Sequence, residues 1–109
     1  MSIAIAYTVF GGPEVLRMTG IPDPVAGPGE VVIRVEAAGV NPIDAKLRSG
    51  ARASGPITAP RRVGADGAGV VTAVGADVDG FRPGDPVVFA GVHGAYATDV
   101  VATVAQVHP

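Results

Sequence analysis

Short runs of β-branched residues, separated by glycine and proline, most restrict how this chain can fold. The sequence holds 16 glycines and 10 prolines among 109 residues. The longest run, Glu30–Ala38, alternates strictly between two faces. We expect one face to lie in the core, and it carries Val31, Ile33, Val35 and Ala37. Short strands joined by glycine and proline turns predict a mainly β fold, either a sandwich or a barrel.

The other elements follow from the same patterns. Asn41 suits the cap of a helix, Pro42 its first turn and Gly50 its end, so we predict a short helix over Ile43–Ser49. Ala51–Arg62 is predicted to be a loop. The remaining predicted strands are Ser2–Val9, Val15–Thr19, Gly67–Val74, Val87–Ala90, Ala95–Val101 and Val104–Val107.

Composition excludes several classes of function. A length of 109 residues predicts one domain, residues 1–109. The net charge of −2 and the lack of a basic stripe argue against nucleic acid as a partner. There is no apolar run near 18 residues and no signal-peptide pattern, so we expect no membrane span and a cytoplasmic location. The chain has no cysteine, which excludes disulfides and cysteine-based zinc patterns.

The only asparagine, Asn41, and the only lysine, Lys46, follow directly on the clearest strand. Polar groups on a loop at a strand end are where rigid β scaffolds usually carry function. The alternatives are a helix cap for Asn41 and a solvated helix face for Lys46. Asp44 and Asp66 are either an acid/base pair or carboxylates that cap a helix or anchor a loop.

A group of glycines near residue 67 does not form a nucleotide fingerprint. Gly64, Gly67, Gly69 and Gly75 have the wrong spacing for G-x-G-x-x-G, and strand-forming residues follow them instead of a helix. We therefore expect these glycines to permit close backbone packing in a curved strand.

Four segments, in order, carry a resemblance to a known family: GVNPIDAKLRSG, GADGAGVVTAVG, FRPGDPVV and GAYATDVV. Together they resemble the N-terminal catalytic domain of the medium-chain dehydrogenase/reductases, in the zinc-free, zeta-crystallin-like quinone oxidoreductase branch. The resemblance covers nearly the whole chain. It implies a GroES-like, partly open β-barrel with one or two short helices, which agrees with the strand pattern.

The departures from the zinc-dependent members bear on chemistry. Those members carry cysteine at the position of Asn41, a hydroxyl residue at Ile43, histidine at Lys46 and a His-Glu pair at Ala65-Asp66. The resemblance therefore implies a site without metal, which suits reduction of a quinone or an activated C=C bond better than oxidation of an alcohol.

The resemblance also implies roles and partners. NADPH would be held mainly by a Rossmann domain that is absent from these residues and is supplied in cis or in trans. Asn41 and Lys46 would contact the cofactor, and Asn41, Lys46 and Asp66 would form the catalytic group. Arg52, Arg61 and Arg62 would cover the substrate from a flexible loop. On its own the chain is expected to be inactive. The alternative is a stand-alone binding or assembly module whose apolar face is hidden by homodimerisation.

Overall fold

Two antiparallel sheets and one α-helix make up the fold in a computed structural model, which describes residues 2–51 and 55–109. The first sheet has the order β2-β1-β4 and the second has the order β7-β3-β5-β6-β8. In chain order, the elements are β1 (Ser2–Tyr7), β2 (Arg17–Ile21), β3 (Glu30–Ala38), α1 (Pro42–Ser49), β4 (Arg61–Arg62), β5 (Gly67–Val74), β6 (Pro86–Phe89), β7 (Asp99–Thr103) and β8 (Val107–His108). The mainly β fold with a short helix that was expected from the sequence is confirmed.

The core lies against the five-stranded sheet. Val31 and Ile33 of β3 are fully buried, as the alternation predicted, and Val71 of β5 packs with them. The alternation weakens toward the end of β3, where Ala37 is exposed, and Val32 on the opposite face is buried as well. The strand thus contributes to the core mainly through its first half.

Glycines in β5 bring two backbones together. A Cβ atom at Gly67 would collide with the carbonyl oxygen of Ala37, and one at Gly69 would collide with that of Arg34. The β3–β5 register also shifts twice along this pair of strands. The predicted close packing and curvature are therefore confirmed, because only glycine leaves room for this approach.

The segment before β7 joins the two sheets. The amide of Ile5 donates to the carbonyl of Tyr96 (2.8 Å), and the amide of Thr98 donates to that of Ile3 (2.8 Å). The carbonyl of Thr98 also accepts from the amide of Val35 in the other sheet (2.9 Å). This backbone therefore links the sheets, and the prediction that Ala95–Val101 is a regular strand is wrong before Asp99.

Three other predicted boundaries need correction. Residues 13–15 form a turn of 3-10 helix, so the second strand begins at Arg17 instead of Val15. Residues 104–106 form another, where a strand was expected. Arg61 and Arg62 were predicted to lie on a flexible loop, but they form β4, because their backbone pairs with Tyr7 and Ala6 of β1. No helix in the described ranges has the length and apolar character needed to cross a membrane.

Candidate functional site

A cleft of about 300 Å³ opens beside the N-terminal half of α1, between the helix and the chain that runs through β4 toward β5. We call it the α1 cleft. Its walls are mostly apolar, and its polar groups lie on α1, on β4 and before β7. The lining residues are Tyr7, Ile43, Asp44, Leu47, Arg61, Arg62, Val63, Gly64, Ala65, Val92 and His93.

Asn41 and Asp66, both predicted site residues, meet in the structure. The Asn41 Nδ2 atom donates to Oδ1 of Asp66 at 3.0 Å, and the Gly39 amide donates to the carbonyl of Asp66 at 2.8 Å. A carboxylate only accepts hydrogen bonds, so this contact sets the orientation of the Asn41 amide. Asp66 thus anchors the loop between β3 and α1, which was the structural alternative for this residue.

Asp44 acts at the start of the helix. Its Oδ2 atom accepts from the backbone amide of Asn41 at 2.9 Å, as part of a capping box. The Asp44 amide donates to the backbone carbonyl of Asn41 at 3.0 Å. Asn41 therefore occupies the predicted N-cap position, but its side chain is directed to Asp66.

Tyr96 completes this group, and it is a residue that the sequence analysis did not select. Its hydroxyl donates to Oδ2 of Asp44 over 3.5 Å, a long contact for an O–H donor. Burial raises the pKa of the Tyr96 phenol, and the nearby charge of Asp44 raises it further. We call Asn41, Asp44, Asp66 and Tyr96 the α1 corner. The available sequence signal was a tyrosine within the segment GAYATDVV, directly after a predicted turn.

Lys46 lies apart from the other predicted site residues. It is exposed on α1, it does not line the α1 cleft, and its ammonium makes no hydrogen bond or ion pair with any residue that the structure describes. Five positions along a helix correspond to about 140° around the axis, so Lys46 and Asn41 face different directions. Its predicted catalytic and cofactor-binding roles stay predictions.

Two of the three predicted substrate arginines line the α1 cleft. The Arg61 guanidinium lies over the Phe10 ring, 5.6 Å from its centroid, and its Nη2 atom donates to the carbonyls of Gly55 and Pro56. The Arg62 Nη2 atom donates to the carbonyl of Gly94 at 2.8 Å. Arg52, the third, lies outside the described residues.

The donor atoms in this region form a poor metal site. Ala65 has no ligating side chain, Ile43 has none, and the amide nitrogen of Asn41 is engaged by Asp66. Within residues 2–51 and 55–109, no three histidine, cysteine or acidic side chains come together in a way that could hold a metal ion.

Comparison with known proteins agrees with this geometry. Residues 27–109 match the family model described as the alcohol dehydrogenase GroES-like domain. Quinone oxidoreductase from Lama guanicoe is 41% identical over 101 residues, which are 91% of this chain and 30% of that protein. The chain therefore spans about a third of the length of the curated relatives it matches.

Solved structures give the same result. A mycobacterial protein in complex with NADPH superposes with a TM-score of 0.84 at 39% identity, over 98% of this chain and 32% of that one. A quinone oxidoreductase from Pseudomonas syringae superposes with a TM-score of 0.84 at 37% identity, over 99% of this chain and 33% of that one. The chain belongs to the alcohol dehydrogenase GroES-like domain family. The predicted resemblance to the quinone oxidoreductase branch of the medium-chain dehydrogenase/reductases is confirmed.

Proposed function

We propose that this chain is the substrate-side domain of a zinc-independent, NADPH-dependent quinone or enone reductase, in which hydride passes to a conjugated carbonyl compound. The observation that carries the proposal is the α1 cleft, because it joins apolar walls to the polar α1 corner. A flat quinone would bury its ring against Ile43, Val63 and Val92. Similarity to quinone oxidoreductases supports this choice of substrate class.

NADPH would be held mainly by a Rossmann domain in cis or in trans. When bound, it supplies the hydride. The similar mycobacterial protein was solved with NADPH, which supports this choice of cofactor. Because Nδ2 of Asn41 is bonded to Asp66, its Oδ1 atom is the group that Asn41 has to offer to a nicotinamide carboxamide. Asp66 would act by holding that amide in place.

Lys46 fits one of its two predicted roles better than the other. An exposed ammonium outside the cleft suits a hydrogen bond to a ribose hydroxyl of a cofactor carried by another domain. Stabilising an oxyanion would require a position at the reacting carbonyl. The zinc-independent part of the proposal depends on the donor set, since Ala65 and Ile43 cannot ligate a metal.

A binding experiment tests the substrate class. Titration of the chain with 1,4-naphthoquinone, followed by amide NMR, should shift the signals of Ile43, Val63 and Val92. Val63→Trp should fill the cleft and weaken binding, whereas Val88→Trp, on the exposed face of β6, should leave it unchanged. If the only signals that shift belong to residues outside the cleft, the proposed site is wrong. The same holds if Val63→Trp binds the quinone as well as the parent chain does.

A second experiment tests the roles of the polar residues. The chain is joined to the cofactor domain of a quinone oxidoreductase, and NADPH oxidation by 1,4-naphthoquinone is followed. Asn41→Ala should raise KM for NADPH, and Lys46→Ala should do the same if Lys46 bonds a ribose hydroxyl. A loss of turnover of about 100-fold in Lys46→Ala would instead indicate that Lys46 assists proton transfer. Turnover within about twofold of the parent would exclude that catalytic role for Lys46.

The chain alone should bind NADPH weakly or not at all, because the cofactor is proposed to be held mainly by another domain. A micromolar dissociation constant measured by calorimetry would refute this.

A second candidate is a binding or assembly module without catalysis. The observation that favours it is the exposure of Val40 (81%), directly beside Asn41. A homodimer that covers Val40 would show concentration-dependent sedimentation, whereas a monomer at all concentrations argues against this candidate. The predicted cytoplasmic location stays a prediction under either function.

A further inference from the structure

The Arg62 guanidinium is the most unusual group in the α1 cleft. Its Nε atom is buried and has no hydrogen-bond partner among the residues that the structure describes. No carboxylate in those residues forms an ion pair with it, since the ion pair found there joins Arg34 and Glu36 on the surface. Burial lowers the pKa of Arg62 without a compensating negative charge, although an arginine keeps its proton.

The guanidinium is also held in position. Its Nη2 atom donates to the Gly94 carbonyl at 2.8 Å, and a Cβ atom at Gly94 would collide with the guanidinium. The side chain therefore lies flat on the Gly94 backbone, which leaves its Nε and Nη1 donors unused within the described chain. Arg61, by contrast, stacks on Phe10 and donates to two loop carbonyls.

Arg62 has no paired carboxylate in the described part of the chain. Asp44 is the single carboxylate among the cleft-lining residues that the structure describes, and it forms no ion pair with Arg62. Glu30 and Asp99, which line a second pocket with Arg62, form none with it either. Oδ2 of Asp44 already accepts two hydrogen bonds. A half-buried cation without a paired anion is costly, and an anionic ligand would reduce that cost.

We propose that Arg62 is a specificity-determining residue, which binds a carboxylate carried by the aromatic or conjugated substrate of this site. Nε is buried against Gly94, so the pair of donors that Arg62 can offer to a ligand is Nη1 together with the second N–H of Nη2. A carboxylate accepts two parallel hydrogen bonds from such a pair, which a quinone oxygen cannot do. The apolar walls would hold the ring while Arg62 holds the acid group. This inference rests on the proposed function, because it takes the occupant of the cleft to be the substrate.

The test compares two ligands of nearly the same shape, anthraquinone-2-carboxylate and anthraquinone-2-carboxamide. Calorimetry with the 109-residue chain should show tighter binding of the carboxylate by about 10- to 100-fold, the range expected for a charge-assisted hydrogen bond. Arg62→Ala should abolish that preference. Arg62→Lys should retain part of it, and Arg34→Ala, a charge change outside the cleft, should leave it intact.

Several outcomes would overturn the inference. The inference is wrong if the parent chain binds both anthraquinones with equal affinity. It is also wrong if Arg62→Ala keeps the preference for the carboxylate, or if Arg34→Ala loses it. If Arg62→Ala weakens NADPH binding in the chain joined to a cofactor domain, without changing the carboxylate preference, the anion recognised is a dinucleotide phosphate and the inference fails. Circular dichroism of each variant excludes unfolding, and Arg62→Lys keeps the test decisive if Arg62→Ala does not fold.

Benzoate separates this inference from the proposed function. If benzoate shifts the Arg62 Nε signal in NMR and neither anthraquinone binds, the carboxylate site stands and the quinone function fails. If both anthraquinones bind equally and benzoate has no effect, the quinone function stands and the role of Arg62 is wrong.

Discussion

The five-stranded sheet and the α1 corner are held together by different kinds of interaction. In the sheet, Val31, Ile33 and Val71 are almost completely removed from water. In α1, no residue is buried, and the corner is joined through the contacts of Asn41 with Asp66 and of Asp44 with Tyr96. Burial of apolar area dominates stability, whereas each hydrogen bond adds little net free energy.

This difference assigns separate tasks to the two regions. The sheet supplies most of the free energy of folding. The α1 corner can therefore carry polar groups at an open cleft with little effect on the stability of the fold. Substitutions in the sheet should therefore change stability, and substitutions in the corner should change mainly the position of the site. Four substitutions test this contrast, and the first is expected to have the largest effect.

Ile33→Ala removes a fully buried side chain from the centre of β3. We expect the free energy of unfolding to fall by about 3 kcal/mol, because transfer and cavity costs add. Urea denaturation measures this loss. Leu47→Ala, on the half-buried face of α1, is the matched control and should cost about 1 kcal/mol. Equal losses for the two variants would remove the contrast between sheet and corner.

Gly69→Ala tests the close approach of β5 to β3. The added methyl would collide with the Arg34 carbonyl and lie 2.9 Å from Cγ2 of Ile33, so we expect a loss of about 2 kcal/mol from overpacking. Gly80→Ala is the control, since its φ is +89° but its surroundings are open. Strain alone should cost about 1 kcal/mol there. A smaller loss at Gly69 than at Gly80 would mean that the strands can separate without difficulty.

The regular parts of the fold follow from the sequence, because alternation and glycine or proline punctuation act locally. The alternation of Glu30–Ala38 predicted β3, and the Asn-Pro pair with a later glycine predicted α1. Two residues are too few to show a period, so β4 could not be recognised. It exists because Arg61 and Arg62 meet β1 across the fold.

The candidate site could also be predicted only in part from the sequence. Asn41 could be selected because it is an isolated polar residue at a strand end. Its bond to Asp66 spans 25 residues, and the contact of Tyr96 with Asp44 spans 52. Such pairings depend on how the sheets close, which no local pattern encodes. The segment that joins the sheets, and that carries Tyr96, was itself predicted as an ordinary strand.

Asn41→Ala removes the bond to Asp66 and should cost about 1–2 kcal/mol, the range for a hydrogen bond to a charged group. Asn41→Ser is the matched variant, because serine is an equally good N-cap but does not carry the amide that meets Asp66. We expect the serine variant to lose nearly as much stability in urea denaturation. If serine restores stability, the asparagine acts as a helix cap, and the contact with Asp66 contributes little.

Tyr96→Phe should have the smallest effect, below about 1 kcal/mol at pH 7, because its contact with Asp44 is long. Its effect depends on pH. Burial, followed by the charge of Asp44, raises the pKa of Tyr96 above its ordinary value of 10.0. The stability that the protonated phenol contributes is therefore complete below pH 10 and is lost as the pH rises through the raised pKa. Urea denaturation midpoints measured from pH 8 to pH 11 should fall less steeply for Tyr96→Phe than for the parent chain. Parallel pH profiles would show that neither burial nor the charge of Asp44 raises the pKa of Tyr96 on folding, and Tyr96 would then not belong to the α1 corner.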